Sequence, residues 1–238
     1  MLEVDNVSVE VNGVTVVRRV SLRVRRGEIV VLMGPNGSGK TSLAYAIMGH
    51  PFYKVVEGRV LLEGEDVTKL PPHEKARRGL FLFFQNPVEV RGVSLLDLIK
   101  AVFEAGGVSG AGVEKLALET ADKVGLKKTL LTRGLNEGFS GGEKKRSELL
   151  QAILLKPRCL IMDEPDSGLD VEGVRLLADF IRERTGEGAC FLLITHYPNL
   201  LNYVTPSKVL VLAKGVVKAE GGMELVEKIS REGYNGLV

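Results

Sequence analysis

One stretch limits what this chain can fold into: Gly34-Pro35-Asn36-Gly37-Ser38-Gly39-Lys40-Thr41. It follows an apolar run, Ile29-Val30-Val31-Leu32-Met33, and precedes a helix-like run, Ser42-Leu43-Ala44-Tyr45-Ala46-Ile47-Met48. The order strand, glycine loop, helix fits the spacing G-x-x-x-x-G-K-[ST]. Glycines let the backbone turn tightly and bring its N–H groups close to phosphate oxygens. A helix that starts at Lys40 points the positive end of its dipole at the same phosphates. Lys40 adds a full charge at the β- and γ-phosphates, and the Thr41 hydroxyl is placed to ligate magnesium. Gly34 through Ser42 are therefore the candidate nucleotide-binding residues.

The remaining composition sets bounds. The 238 residues suit one large α/β domain, or one domain with an insertion. Hydrophobic residues make up 45%, enough for a sizeable core. Lys and Arg exceed Asp and Glu by 32 − 30 = 2, so no global field calls for nucleic acid or an anionic membrane. Met1-Leu2-Glu3-Val4-Asp5 has neither a basic nor an apolar signal region. No apolar run reaches the ~18 residues of a membrane span. The expectation is a cytoplasmic protein that meets a membrane, if at all, through a partner. Cys159 and Cys190 sit in strand-like apolar runs and read as buried small residues of a reducing compartment.

Along the chain, residues 2–24 alternate on either side of Asn12-Gly13, which reads as an antiparallel hairpin. A strand is expected at 58–62 and a short proline-started helix at 71–78, where His73 reads as a solvated residue. A buried strand at 80–84 ends at Gln85. Residues 88–138 carry helical spacing, with Leu95, Leu96, Ile99 and Val102 in one run and Leu116, Ala121 and Val124 in another. They read as a helical subdomain inserted in a single domain, 1–238. Ser140-Gly141-Gly142-Glu143 opens a further helix that runs to Leu155 and stops before Pro157. Strand 159–162, helix 171–184, strand 191–195, a short helix near 198–203, a ribbon at 209–217 and a helix near 223–231 follow. Continuous apolar strands between helices indicate a parallel sheet covered on both faces. The predicted fold is α/β: a mixed sheet, an antiparallel N-terminal hairpin, a parallel core and the helical insertion.

Two further constellations carry chemistry. Four apolar residues lead into Asp163-Glu164. Asp163 would hold magnesium beside the glycine loop, and Glu164 would serve as general base or orient the attacking water. Ser140-Gly141-Gly142 is a second phosphate-ready helix start. It also reads as a plain capping box, Ser140 with Glu143, and both readings can hold.

Taken together, these residues resemble the ATP-binding cassette family over nearly the whole chain. The resemblance rests on the loop at 34–41, Gln85, Phe139-Ser140-Gly141-Gly142-Glu143, Asp163-Glu164, Ser167-Gly168-Leu169-Asp170 and His196. It implies an ATPase that uses ATP and magnesium, with Thr41, Gln85 and Asp163 as metal ligands. Glu164 and His196 are the implied catalytic pair, His196 touching the γ-phosphate. It also implies a head-to-tail homodimer formed on ATP, in which Ser140, Gly141, Gly142, Glu143 and the loop Ser167–Asp170 serve the partner's nucleotide. Within the family, several stretches are similar to SufC, the ATPase branch of the Suf iron–sulfur cluster machinery. They are Phe81-Leu82-Phe83-Phe84-Gln85-Asn86-Pro87-Val88-Glu89-Val90, Glu143-Lys144-Lys145-Arg146, Asp166, Ile194-Thr195-His196-Tyr197-Pro198 and Glu232-Gly233-Tyr234. That likeness implies SufB/SufD-type scaffold proteins as partners. The alternative is the ATPase subunit of a membrane transporter, and a third is a regulatory nucleotide sensor, against which Glu164 argues. Val11-Asn12-Gly13-Val14-Thr15-Val16 lacks the aromatic that cassettes usually stack on adenine.

Overall fold

The Asn12-Gly13 turn takes positive φ at both residues, 49° and 80°, as a two-residue hairpin turn requires. It joins β1 (Leu2–Val11) to β2 (Val14–Val24) in antiparallel register, from Leu2↔Val24 to Val11↔Val14. This computed structural model describes residues 1–196, 198–234 and 236. Tyr197, part of the SufC-like stretch at 194–198, lies outside the described residues.

β3 (Ile29–Met33) leads through the glycine loop into α1 (Lys40–Met48). β4 (Lys54–Leu62) and the two-residue β5 (Glu65–Asp66) complete an antiparallel sheet of order β2-β1-β4-β5. The strand expected at 58–62 begins earlier, at Lys54. Its first half is largely exposed, so no alternation of apolar residues marks it in the sequence. α2 (Pro72–Arg77) and β6 (Leu80–Phe83) follow. Then come β7 (Val90–Ser94), α3 (Leu95–Ala105), α4 (Val113–Lys123), β8 (Gly134–Leu135) and α5 (Gly141–Leu155). The alternation resumes with β9 (Cys159–Asp163), α6 (Val171–Gly186), β10 (Cys190–Ile194), β11 (Lys208–Ala213), β12 (Val216–Gly221) and α7 (Met223–Glu232). The short helix expected near 198–203 is a single 3-10 turn, Leu200–Asn202.

The chain forms two compact units. The first comprises residues 1–84, 157–165 and 181–238; the second comprises 85–156 and 166–180. In the first unit a six-stranded sheet has the order β12-β11-β3-β10-β9-β6, with β12 antiparallel at one edge and the other strands parallel. Its interior strands read as unbroken apolar runs because both faces are covered: β3, β9 and β10 are buried at every position. Alternate residues on one face, Val30, Leu32, Ile161, Leu192, Ile194 and Leu210 among them, pack with the hairpin strands and with Leu43 and Ile47 of α1. In the second unit, β7 and β8 form a small ribbon alongside α3, α4 and α5. Cys159 and Cys190 are register partners on adjacent strands, and both are buried as free thiols.

One polar residue helps anchor α1. Lys75, on α2, is fully buried, and its ammonium donates to the carbonyl of Ile47 at 2.8 Å. That carbonyl is among the last of α1, where a helix lacks internal donors and a cation is favoured by the dipole. Burial pushes the Lys75 pKa down to about 8. A folded-state value below the unfolded one means the charged form is penalised on folding. The penalty is full below pH 8 and fades as pH rises towards 10.5, because there the unfolded chain binds more protons. Denaturant titrations of Lys75→Met and the parent, at pH 7 and pH 10, should show the parent gaining about 2 kcal/mol relative to the variant on going to the higher pH. A pH-independent difference would mean that Lys75 does not titrate in that window.

Candidate nucleotide site

The carboxyl ends of β3, β10 and β9 lie side by side. Leu32 is in register with Ile194, and Ile194 with Asp163. The residues that follow each strand therefore gather at one edge: the loop from Gly34, the pair Thr195-His196, and Glu164. This edge of an open parallel sheet is where ligands bind in such folds.

The loop is built to receive an anion. Gly39 precedes α1 with φ 106°, and no side chain caps the helix start. The first turn of α1 carries no acidic residue. The helix thus presents its N–H groups and its dipole with neither a side-chain cap nor a first-turn carboxylate competing for them. Ser38 and Lys40 are buried. The Lys40 ammonium donates to the carbonyls of Gly34 at 2.8 Å and Pro35 at 3.0 Å. Burial pushes its pKa below the ordinary lysine value, while the Asp163 and Glu164 carboxylates pull it back up. The loop folds its one cation over its own carbonyls, where an incoming phosphate can replace them. Gly34 cannot be replaced, since a Cβ there would overlap the carbonyl oxygen of Leu212.

Asp163 ends β9 with 2% of its surface exposed. Glu164 follows in a left-handed conformation, φ 48°, with its N–H donating to the Ile194 carbonyl at 2.9 Å. Such a backbone costs a non-glycine residue on the order of 1 kcal/mol, and such strain gathers at functional sites. The turn brings Glu164 Oε1 to 2.7 Å from His196 Nδ1. The structure thus pairs two residues, the expected base and the expected γ-phosphate contact, that are 32 positions apart in sequence. The donors offered by Thr41 and Asp163 are hard oxygens, the chemistry that suits magnesium.

The other expected residues belong to the second unit, which Gln85 opens. There Ser140 caps α5. Its Oγ accepts the Glu143 N–H at 3.3 Å, and Glu143 Oε2 accepts the Ser140 N–H at 2.9 Å. These bonds, chiefly the one from the Ser140 backbone, hold the Glu143 carboxyl below its usual range, helped by Lys127. The capping box is therefore formed, and it lends rigidity to the helix start. Gly142 lies against the loop at 167–170; a Cβ there would sit 2.9 Å from the Gly168 carbonyl oxygen. Asp170 in that loop accepts the Gly173 N–H at 2.7 Å and pairs with Arg146 at 2.9 Å. Arg146 also donates to the Val124 carbonyl. The helix start and the loop after Asp166 form one stiff element through Arg146. In the sequence Arg146 stands out only as part of the SufC-like stretch, with no sign of that role.

A family model described as "ABC transporter" matches residues 17–167. Among curated proteins, the probable ATP-dependent transporter ycf16 of Cyanidium caldarium is 42% identical, over 98% of this chain and 95% of its own. Among solved structures, an ATP-binding subunit of an ABC transporter aligns with a TM-score of 0.81 at 27% identity, covering 99% of this chain and 95% of that one. A dimeric bacterial ABC transporter cassette aligns with a TM-score of 0.77 at 24% identity, covering 94% and 99%.

Proposed function

Because the chain belongs to the ATP-binding cassette family, an ATPase family, we propose that it is the SufC-type ATPase subunit that drives conformational change in a SufB/SufD-type scaffold for iron–sulfur cluster assembly. The observation that carries the ATPase chemistry is the meeting of an uncapped helix start, the buried Lys40 and the Glu164–His196 pair at one sheet edge. Lys40 and the first-turn N–H groups of α1 hold the β- and γ-phosphates. Glu164 orients the attacking water and takes its proton, and His196 steadies Glu164 and touches the γ-phosphate. Thr41 and Asp163 would hold magnesium, and the family resemblance adds Gln85 as a further ligand; the ion would neutralise charge developing on the phosphates.

Ser140, Gly141, Gly142 and the loop at 167–170 act in trans, in a head-to-tail dimer that closes on ATP. Dimerisation of a cassette with the same fold supports that reading. ATP closes the dimer and hydrolysis reopens it. The motion passes through Gln85 and the helical insertion at 88–138 to the partner. Cys159 and Cys190 are buried in core strands, so cluster chemistry falls to that partner. No helix among the described residues is long and apolar enough to cross a membrane, and the proposed location is the cytoplasmic side.

The alternative, an ATPase subunit of a membrane transporter, is favoured by the names of the relatives. Against it stand Phe139, Glu143 and Asp166, where transporter cassettes usually carry other residues. Native purification with this chain as bait separates the two. The Suf reading expects a soluble, iron-binding partner without membrane spans. Recovery of a multi-spanning membrane protein instead would overturn it and leave the ATP chemistry intact.

A further inference from the structure

The structure assigns Tyr234 as a positioning residue of the nucleotide loop, acting through the backbone of Gly34. Tyr234 follows α7 and stands 200 positions from Gly34, yet its hydroxyl accepts the Gly34 N–H at 3.1 Å. Both residues belong to the first unit.

The need for such an acceptor follows from the sheet. The pairing of β3 with β11 ends at Met33↔Val211. Gly34 lies one residue beyond it and is buried. A buried N–H past the end of a ladder must find a partner elsewhere or cost about 1–3 kcal/mol. The Tyr234 hydroxyl is that partner. Burial also pushes the Tyr234 phenol above its ordinary pKa, against the opposing effect of the Gly34 bond, so it stays a neutral hydroxyl.

Gly34 is thereby fixed on three sides. Its Cα is pressed against the Leu212 carbonyl, its own carbonyl accepts Lys40 Nζ at 2.8 Å, and its N–H ends on Tyr234. When phosphate draws Lys40 away, one of these restraints is lost, and the other two must keep the loop in shape. Tyr234 thus contributes to nucleotide affinity through the backbone of Gly34. Its effect belongs to binding rather than to the bond-breaking step, since the Tyr234 hydroxyl is bonded to Gly34, at the start of the phosphate loop.

The test is Tyr234→Phe, which keeps the ring and removes the acceptor. Calorimetric titration with ADP should give a Kd raised about five- to tenfold, because the bound loop, with Lys40 drawn from the Gly34 carbonyl, depends more on the Tyr234 bond than the free loop does. The KM for ATP should rise by a similar factor, with kcat within about twofold of the parent. Melting of the nucleotide-free variant guards against a purely structural effect, because global loosening would lower kcat and Tm together. An unchanged ADP Kd, or a fall in kcat at unchanged KM, would overturn the assignment. No partner enters the assay, so its failure is distinct from failure of the Suf reading.

Discussion

Glu164→Gln is expected to lower kcat for ATP hydrolysis by about two to three orders of magnitude while leaving ATP bound. The glutamine amide has nearly the shape of the carboxylate, so the exchange leaves the packing at the end of β9 in place. The left-handed backbone at 164 is no harder for Gln to adopt than for Glu. Its side-chain oxygen can still face His196, from which Glu164 Oε1 now lies 2.7 Å. What disappears is the capacity to accept a proton from water, and general-base catalysis is worth about 10²–10⁴ in rate. The groups proposed to hold the nucleotide, the helix start at Lys40 and the lysine itself, stay in place on the exchange. A protein that binds ATP but does not cleave it should accumulate as the closed dimer. Single-turnover hydrolysis measures the first effect, and gel filtration with and without ATP the second. A variant that cleaves ATP at the parent rate would remove Glu164 from the role of base.

The parts legible in the sequence are those set by short-range chemistry. Asn12-Gly13 could hardly be anything but a hairpin turn, because both residues tolerate positive φ and alternating apolar residues flank them. Ser140 and Glu143 stand three apart before a helix, and the capping box between them forms. β3, β9 and β10 announce themselves as apolar runs because both faces of the sheet are covered. The illegible parts depend on contacts that only the assembled fold creates. The first half of β4 is largely exposed and so shows no period. The ribbon of β7 and β8 is exposed or half-buried throughout, and it joins residues some 40 apart. Lys75 sits in a short charged helix that reads as surface, yet it is fully buried under the end of α1. Tyr234 reads as a terminal aromatic until the sheet brings Gly34 beside it. The pairing of Glu164 with His196 was legible only as two separate residues. Their contact follows from the adjacency of β9 and β10, which no local pattern encodes.

Lys40→Met should separate stability from function at the same position. Lys40 is a buried cation, and burial is the largest influence on its pKa, depressing it. Its charge is therefore a cost to the fold at neutral pH, offset by its bonds to the Gly34 and Pro35 carbonyls and by the nearby Asp163 and Glu164. Methionine has a similar length and no charge to desolvate. The two carbonyls lose a donor, so the gain and the loss nearly cancel, and the variant should melt within a few degrees of the parent. Nucleotide binding has no such compensation. A hydrogen bond to a charged partner is worth about 1.5–3 kcal/mol, and Lys40 is placed to serve two phosphates. Affinity for ATP should fall by about 10²-fold or more, since each tenfold corresponds to about 1.4 kcal/mol. Differential scanning calorimetry of the nucleotide-free variant and an ATP titration make the comparison. Equal affinity in parent and variant would take Lys40 out of the phosphate site. A large loss of stability alongside weak binding would mean that the lysine acts chiefly as a brace for Gly34 and Pro35, and that the loop fails because it unfolds rather than because it lacks a charge.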